Sequence, residues 1–504
     1  MTMVAIDDNS NIDESNEGTT EEDEEDEEDN IQNKSCWRCL SQTQVVAMVS
    51  NFSTSYNVVN VSLALPILND LYPATSSEDA AACASSLLAG MIIGQIVGGA
   101  LGDSWLGRLG ALRLVMVIQI VASLGSATIW KNVYVALAIW RFFLGIGAGA
   151  VYPLSATLSA EAEDHRSGEL SSDEKVGQLK NVLLTFSMQG VGFITVPIAT
   201  LILLFSLKDT QLDLVWRILL GIGCFPGIVL MILQFRNRYE PGRALIPQEE
   251  PVQDDMFGPT TPVREEPLIQ HDQEEESEAS GEVQDMSLFS AIGNEPYLIQ
   301  KLVGTAATWF LFDVLFYGNT LFQPIVMEAA FGSGTSDENL IKKAATDSLL
   351  LGLIALPGYV ISAVAIGRRI CTVHQTPRYV QLQGFAVMAV LYSIIGAYWS
   401  YLKRVPALLV TIYGLTFFFA NYGPNTTTFI FPSLLFSHRC RSSLNGISAA
   451  GGKLGALIGA SLFEPAASSW GDDKVMLVCA GISVVAFGLT TLFTKQPNNN
   501  ISYP

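Results

Sequence analysis

The stretch LLAGMIIGQIVGGAL, residues 87–101, and its counterpart LLVTIYGLTFFF, residues 408–419, contain no charged residue. Crossing a bilayer as a helix takes about 20 predominantly apolar residues. Extended to their natural limits, these two stretches belong to a series of such segments running from residue 44 to 494. They lie at about 44–70, 82–101, 109–129, 131–158, 180–205, 214–235, 299–325, 346–367, 380–400, 406–433, 445–468 and 474–494. A soluble helical protein would show a polar face on most of these helices, and most of these segments do not. The sequence therefore predicts an all-α polytopic membrane protein with twelve transmembrane helices. Residues 1–33 are acidic and contain no apolar core of a secretory signal.

The overall charge obscures this. The chain of 504 residues carries 49 acids and 28 Lys and Arg, a formal charge of -21, yet its mean hydropathy is +0.34. The acids are concentrated. Residues 1–33 hold 14 acids and no base, and residues 240–285 hold 14 acids with only Arg243 and Arg264. Removing both segments leaves 21 acids against 26 bases, a body of net +5. The acidity excludes nucleic acid as a partner. It belongs to two polar, Glu-, Gln-, Pro- and Ser-rich segments with no apolar periodicity, which read as disordered cytoplasmic tethers with scope for regulatory partners.

The basic residues orient the chain. With the N-terminus in the cytoplasm, 18 Lys and Arg fall in inside segments and 7 in outside loops, which supports both termini inside and an even number of spans. The expected organisation is an acidic tail 1–40, a six-helix half 41–238, an acidic linker 239–297, a second six-helix half 298–495 and a tail 496–504. Two such halves predict a binding site between them, near mid-membrane.

Seven cysteines are scattered. Cys36 and Cys39 have a CxxC spacing, but no second pair completes a metal site, and no metal or cofactor is expected. The four histidines lie in loops or at span ends, with no nucleophile–base arrangement, so an enzyme is not expected.

Polar groups inside spans are costly and mark function. Trp309, Asp313 and Tyr317 are spaced by four and share a helix face. Gly451, Gly455 and Gly459 form a ridge for close helix packing. Lys453, two positions off that ridge, points elsewhere, toward a central cavity. Asn421-Tyr-Gly-Pro-Asn425-Thr-Thr-Thr428 places amides and hydroxyls at a Gly-Pro break. Gln189 precedes Gly190 and Gly192. Arg141, Gly145 and Gly149 share a face before Tyr152-Pro153, and residues 53–60 carry Ser53, Thr54, Ser55, Asn57 and Asn60. A lone ammonium among hydrogen-bond donors suits a small anion.

Several of these stretches resemble the major facilitator superfamily, and more closely its phosphate:proton symporter family. The most specific are Tyr152-Pro-Leu-Ser-Ala-Thr157, Gly304-Thr-Ala-Ala-Thr-Trp309-Phe-Leu-Phe-Asp313, Gln381-Leu-Gln-Gly-Phe385, Gly423-Pro-Asn-Thr-Thr-Thr-Phe429 and Asn445-Gly-Ile-Ser-Ala-Ala-Gly-Gly-Lys453-Leu-Gly-Ala456. The resemblance implies a secondary transporter of inorganic phosphate. Its phosphate ligands would be Tyr152, Gln189, Trp309, Asp313, Tyr317, Asn425 and Lys453. Asp313, Glu161, Arg141, Asp103 and Arg108 are its candidates for proton coupling or gating. The family setting is the plasma membrane.

Two family carboxylates are absent. Gly149-Ala150-Val151 stands where the family has Gly-Gly-Asp, and Ser53-Thr54-Ser55-Tyr56-Asn57 where it has an acid. Val151 and Thr54 do not titrate, so the coupling ion, proton or another, stays open. The cytoplasmic loop Gly99-Ala-Leu-Gly-Asp103-Ser-Trp-Leu-Gly107-Arg108-Leu has one residue more than the superfamily pattern and lacks its second base. Two rivals remain: carriage of another small anion, and a phosphate sensor that does not transport.

Overall fold

A computed structural model describes residues 40–72, 77–162, 172–207, 211–236, 288–332, 337–370 and 372–494. Twelve long helical segments dominate. The first six are α1 (Gln42–Leu71), α2 (Ser77–Asp103), α3 (Gly107–Ala127), α4 (Val133–Ala160), α5 (Ser172–Ser206) and α6, which runs as Leu212–Gly221, a 3-10 turn Ile222–Cys224, and Phe225–Arg236. In the second set α7 runs as Leu298–Leu302, a wide turn Val303–Ala307, and Thr308–Phe331. There follow α8 (Asp337–Ala365), α9 (Pro377–Ala397), α10 (Pro406–Leu435), α11 (Arg441–Trp470) and α12 (Asp472–Phe493). Among the described residues the fold is thus all-α apart from one hairpin, Arg369–Ile370 paired with Val373–His374 between α8 and α9. The acidic tail 1–39 with Cys36 and Cys39, residues 239–287 of the linker, Cys371 and the C-terminal tail lie outside the described residues, whereas the end of the linker, 288–297, lies within them and forms the short helix Leu288–Gly293.

Local chemistry starts and stops these helices. The Ser41 hydroxyl accepts the Gln44 N–H at 3.2 Å to begin α1. Thr376 does the same for Tyr379, also at 3.2 Å, with Pro377 in the first turn of α9. Gly471, at φ 99°, turns the chain between α11 and α12 where a side chain would be strained.

Eleven of the described helices are long and apolar enough to cross a membrane. The exception is α1, and its burial explains why. Ser50, Asn51, Ser53, Thr54, Ser55, Asn57 and Asn60 are all at most 1% exposed. Neighbouring helices rather than lipid surround this polar stripe. Asn51 donates to Thr185 O at 2.7 Å, Asn57 to Gly223 O at 2.8 Å, and Gln119 to the Thr54 hydroxyl at 3.2 Å. A helix enclosed in this way has no need of an apolar surface. The chain is an integral, multi-pass membrane protein of twelve helices.

Small residues set the closest crossings. The ridge on α11 packs against α7: a Cβ at Gly455 would lie 2.1 Å from Phe310 O, and one at Gly459 would lie 2.3 Å from Val314 O. The two sets of six meet mainly along α2 with α11 and α5 with α8. Here the end of the bundle holding the start of α1 and the end of α12 is called the basal end.

Candidate functional site

The ridge fixes where Lys453 goes. With Gly451, Gly455 and Gly459 held on α7, the Lys453 side chain turns into the bundle interior and is 3% exposed. Its Nζ donates to Asp313 Oδ2 at 2.7 Å and to the Tyr317 hydroxyl at 3.2 Å. It also lies 4.6 Å from the Tyr317 ring centre and 5.4 Å from that of Tyr152. Trp309 lies one turn before Asp313, its ring against Gly452, where a Cβ would come within 2.5 Å of the indole. From the first half, Gln189 Nε2 donates to the Tyr152 hydroxyl at 3.4 Å. The structure therefore brings Tyr152, Gln189, Trp309, Asp313, Tyr317 and Lys453 to one place between the halves.

Asn425 reaches the same region through a residue that the sequence reading missed. It sits in the wide turn Asn421–Asn425, where Gly423 leaves helical geometry (φ -99°, ψ -105°). Its Nδ2 donates to the Tyr359 hydroxyl at 2.9 Å and to Asn421 Oδ1 at 2.7 Å. Tyr359, on α8, is 1% exposed. The signal for it was its place one residue after Pro357-Gly358 in an otherwise apolar span. The Gln381 motif proves to be packing: Gln381 bridges Thr427 and Thr490, and Gly384 lies against Gly423 and Pro424.

Aromatic rings close this region toward both ends of the bundle. On the basal side Phe186 and Phe429 lie 4.6 Å apart across the halves, and Tyr152 meets Phe429 at 6.2 Å. On the opposite side Phe193 and Phe316 stack at 6.3 Å. Lys453, Asp313 and Tyr152 are each at most 3% exposed, so the site is occluded.

At the basal end a second charged cluster joins the halves. Asp103 pairs with Arg108 at 3.0 Å, and Arg108 pairs with Glu161 at 3.1 Å. Glu161 also meets Arg441 at 3.5 Å and His438 at 3.3 Å from the second half. Asp103 accepts the first N–H groups of α11, from Ser442 at 3.2 Å and Ser443 at 2.6 Å. A carboxylate at a helix N-terminus satisfies orphan donors and complements the helix dipole. Arg108 Nη2 further donates to His438 O at 2.8 Å. His438 and Arg441 were absent from the sequence-based set, because the partners of Glu161 lie far along the chain.

The loop holding His438 and Arg441 is itself anchored. Glu295, just before α7, accepts from Lys301 at 2.6 Å and from the Ser437 hydroxyl at 2.5 Å. The short helix Leu288–Gly293 packs with Ala291 against Phe436, Cys440 and Leu444. Burial opposes the charge on Glu295, but Lys301 and Ser437 outweigh it and hold the carboxyl below the usual carboxylate range.

Arg141 joins neither cluster. Fully buried, it donates to Asn60 Oδ1 at 2.9 Å and Val58 O at 3.2 Å. It is twenty residues, about 30 Å of helix, from Glu161. Val151 also points away from the site, into an apolar cluster with Val46, Ala47, Ala111, Leu112 and Val115.

The family model for the Major Facilitator Superfamily matches residues 47–460. A protein named probable inorganic phosphate transporter 1-6, from Arabidopsis thaliana, is 30% identical, the match covering 91% of each chain. Inorganic phosphate transporter 1-11 of Oryza sativa subsp. japonica is also 30% identical, over 82% of this chain and 78% of its own. A solved structure of the proton:xylose symporter XylE, bound to 6-bromo-6-deoxy-D-glucose, superposes with a TM-score of 0.64 at 18% identity, covering 90% of this chain and 95% of that one.

Proposed function

We propose, given that the chain belongs to the major facilitator superfamily, that it is a secondary transporter of inorganic phosphate working by alternating access around Lys453. The observation that carries this is an occluded ammonium, between the halves, ringed by hydroxyl, indole and amide groups. The relatives at 30% identity, named inorganic phosphate transporters, point to the same substrate.

The chemistry fits a phosphate that still carries a proton. Lys453 supplies the positive charge, and Tyr152, Gln189, Trp309 and Tyr317 stand around it with groups able to donate hydrogen bonds. Asp313 can accept from a phosphate O–H, which sulfate lacks at neutral pH. In the absence of substrate Asp313 is the counter-ion of Lys453, so phosphate must compete for the ammonium. Release of Asp313 makes it the residue best placed to couple transport to a proton, the family's acids at positions 54 and 151 being absent. The second reading is coupling to another ion.

On this reading the basal end faces the cytoplasm, as the Lys and Arg distribution favours, and the plasma membrane is the setting. Residues 41–238 and 298–495 are the two moving halves. The cluster of Asp103, Arg108 and Glu161 latches the cytoplasmic side, and Arg141 braces α4 against α1 within the first half.

The test is uptake of labelled phosphate by proteoliposomes, with proton and sodium gradients imposed separately. Saturable phosphate entry that sulfate does not compete with supports the assignment. Entry of sulfate or another anion in place of phosphate contradicts the substrate. Phosphate binding without flux identifies a sensor.

A further inference from the structure

The hydrogen-bond capacity of Asn425 is already spent. An amide nitrogen carries two hydrogens. Asn425 Nδ2 gives one to the Tyr359 hydroxyl at 2.9 Å and the other to Asn421 Oδ1 at 2.7 Å. What remains on this side chain is its carbonyl oxygen, an acceptor, which can meet a protonated phosphate oxygen but cannot donate to an ionised one. The Tyr359 hydroxyl has the opposite balance. It accepts from Asn425, and its own hydrogen meets no acceptor among the described residues. A buried O–H without an acceptor is costly, so a ligand oxygen there is favoured.

We infer that Tyr359 donates directly to the bound phosphate, and that Asn425 is a positioning residue acting through it. The inference rests on the phosphate reading of the Lys453 site. Both Tyr152 and Tyr317 show the same pattern: each hydroxyl accepts from a protein nitrogen, Gln189 or Lys453, and none of their own hydrogens has an acceptor among the described residues. Tyr359 packs against Gly190, next to the Gln189 that bonds Tyr152. Two of these hydroxyls, on Tyr152 and Tyr317, belong to the rings against the Lys453 ammonium, and Tyr359 carries the third beside Gln189.

The backbone is shaped to hold Tyr359 there. Gly358 lets α8 lie against the break in α10: a Cβ at Gly358 would come within 2.4 Å of Phe418 O. Across the halves, Gly190 opens a slot for the Tyr359 ring beside Gln189, where a Cβ would lie 2.7 Å from Tyr359 Cδ2. The Phe186 ring, 5.6 Å away, covers its other side. Tyr359 is therefore a second-half residue seated against the first half.

Tyr359→Phe keeps the ring in its slot and removes only the donor. In proteoliposomes the expected result is a KM for phosphate raised about tenfold or more, as for loss of one hydrogen bond to a charged ligand, with Vmax per folded transporter retained. The decisive comparison is a cycle with Asn425→Ala. If Asn425 acts through Tyr359, Asn425→Ala raises KM in the native background and adds little once Tyr359 is Phe. Two results overturn the inference: an unchanged KM in Tyr359→Phe, including one in which only Vmax falls, and an equal effect of Asn425→Ala in both backgrounds. Absence of phosphate uptake by the unsubstituted chain would instead remove the reading beneath it.

Discussion

Two of the carboxylate–cation clusters among the described residues, the central pair and the basal network, are built in opposite ways. The central pair, Lys453 with Asp313, lies within the second half, is 3% exposed on both sides, and has a single ion-pair contact at 2.7 Å. The basal cluster spans the halves, and there Glu161 alone meets Arg108, His438 and Arg441. The first arrangement leaves an ammonium that an anion can claim by displacing one carboxylate. The second is a redundant network whose rupture separates the halves. On the proposed reading, binding and gating fall to different charges, so that substrate entry can alter one without destroying the other.

The sharpest way to break this comparison is to remove one member of the central pair. Leaving one buried charge unpaired costs about 3–5 kcal/mol. Lys453→Ala and Asp313→Asn are each expected to reduce phosphate uptake by more than about 100-fold, while in a Ser443→Cys background the basal cluster stays closed to thiol labelling at position 443. Near-normal uptake in either variant would show that the site lies elsewhere.

Glu161→Gln is expected to act differently. It removes the shared counter-charge of Arg108 and Arg441, so labelling at position 443 rises and uptake falls several-fold, with KM for phosphate little changed. A pure KM effect would merge the two clusters into one function.

A smaller effect, on stability, is expected of Val151→Asp. This puts back an acid the family has, but into the apolar cluster of Val46, Leu112 and Val115. An unpaired carboxylate there costs several kcal/mol, so the melting temperature falls. Unchanged stability together with a new pH dependence of uptake would reveal a partner for it.

Glu295→Gln is expected to be milder still. It loosens the loop carrying His438 and Arg441, exposing Cys440, whose thiol burial and the nearby Glu295 carboxylate push up. Thiol alkylation at neutral pH reads this directly. Because folding lowers the Glu295 pKa, its contribution is complete above the ordinary carboxylate value of about 4.3 and disappears as pH falls below it. Hydrogen exchange across residues 288–297 should accordingly, after correction for intrinsic rates, be slow at pH 7 and fast only in acid.

Much of this was legible in the chain. Apolar runs located the spans, and the offset of Lys453 from its glycine ridge correctly sent it inward, because helix periodicity is a local property. The fourfold spacing of Trp309, Asp313 and Tyr317 succeeded for the same reason. What could not be read were pairings between distant elements. Nothing near Glu161 names His438 and Arg441, and nothing near Asn425 shows that Tyr359 takes one of its amide hydrogens. The partners of Arg141, Asn60 and Val58, are neutral groups on α1 and equally beyond a local reading of the chain.

The central claim is that one buried ammonium carries phosphate between two occluding halves. It is tested most directly by measuring labelled phosphate flux into proteoliposomes for the native chain and Lys453→Ala side by side. The expected result is saturable phosphate entry that sulfate does not inhibit and that the alanine variant lacks. Equal flux through both proteins, or none through the native chain, would contradict it.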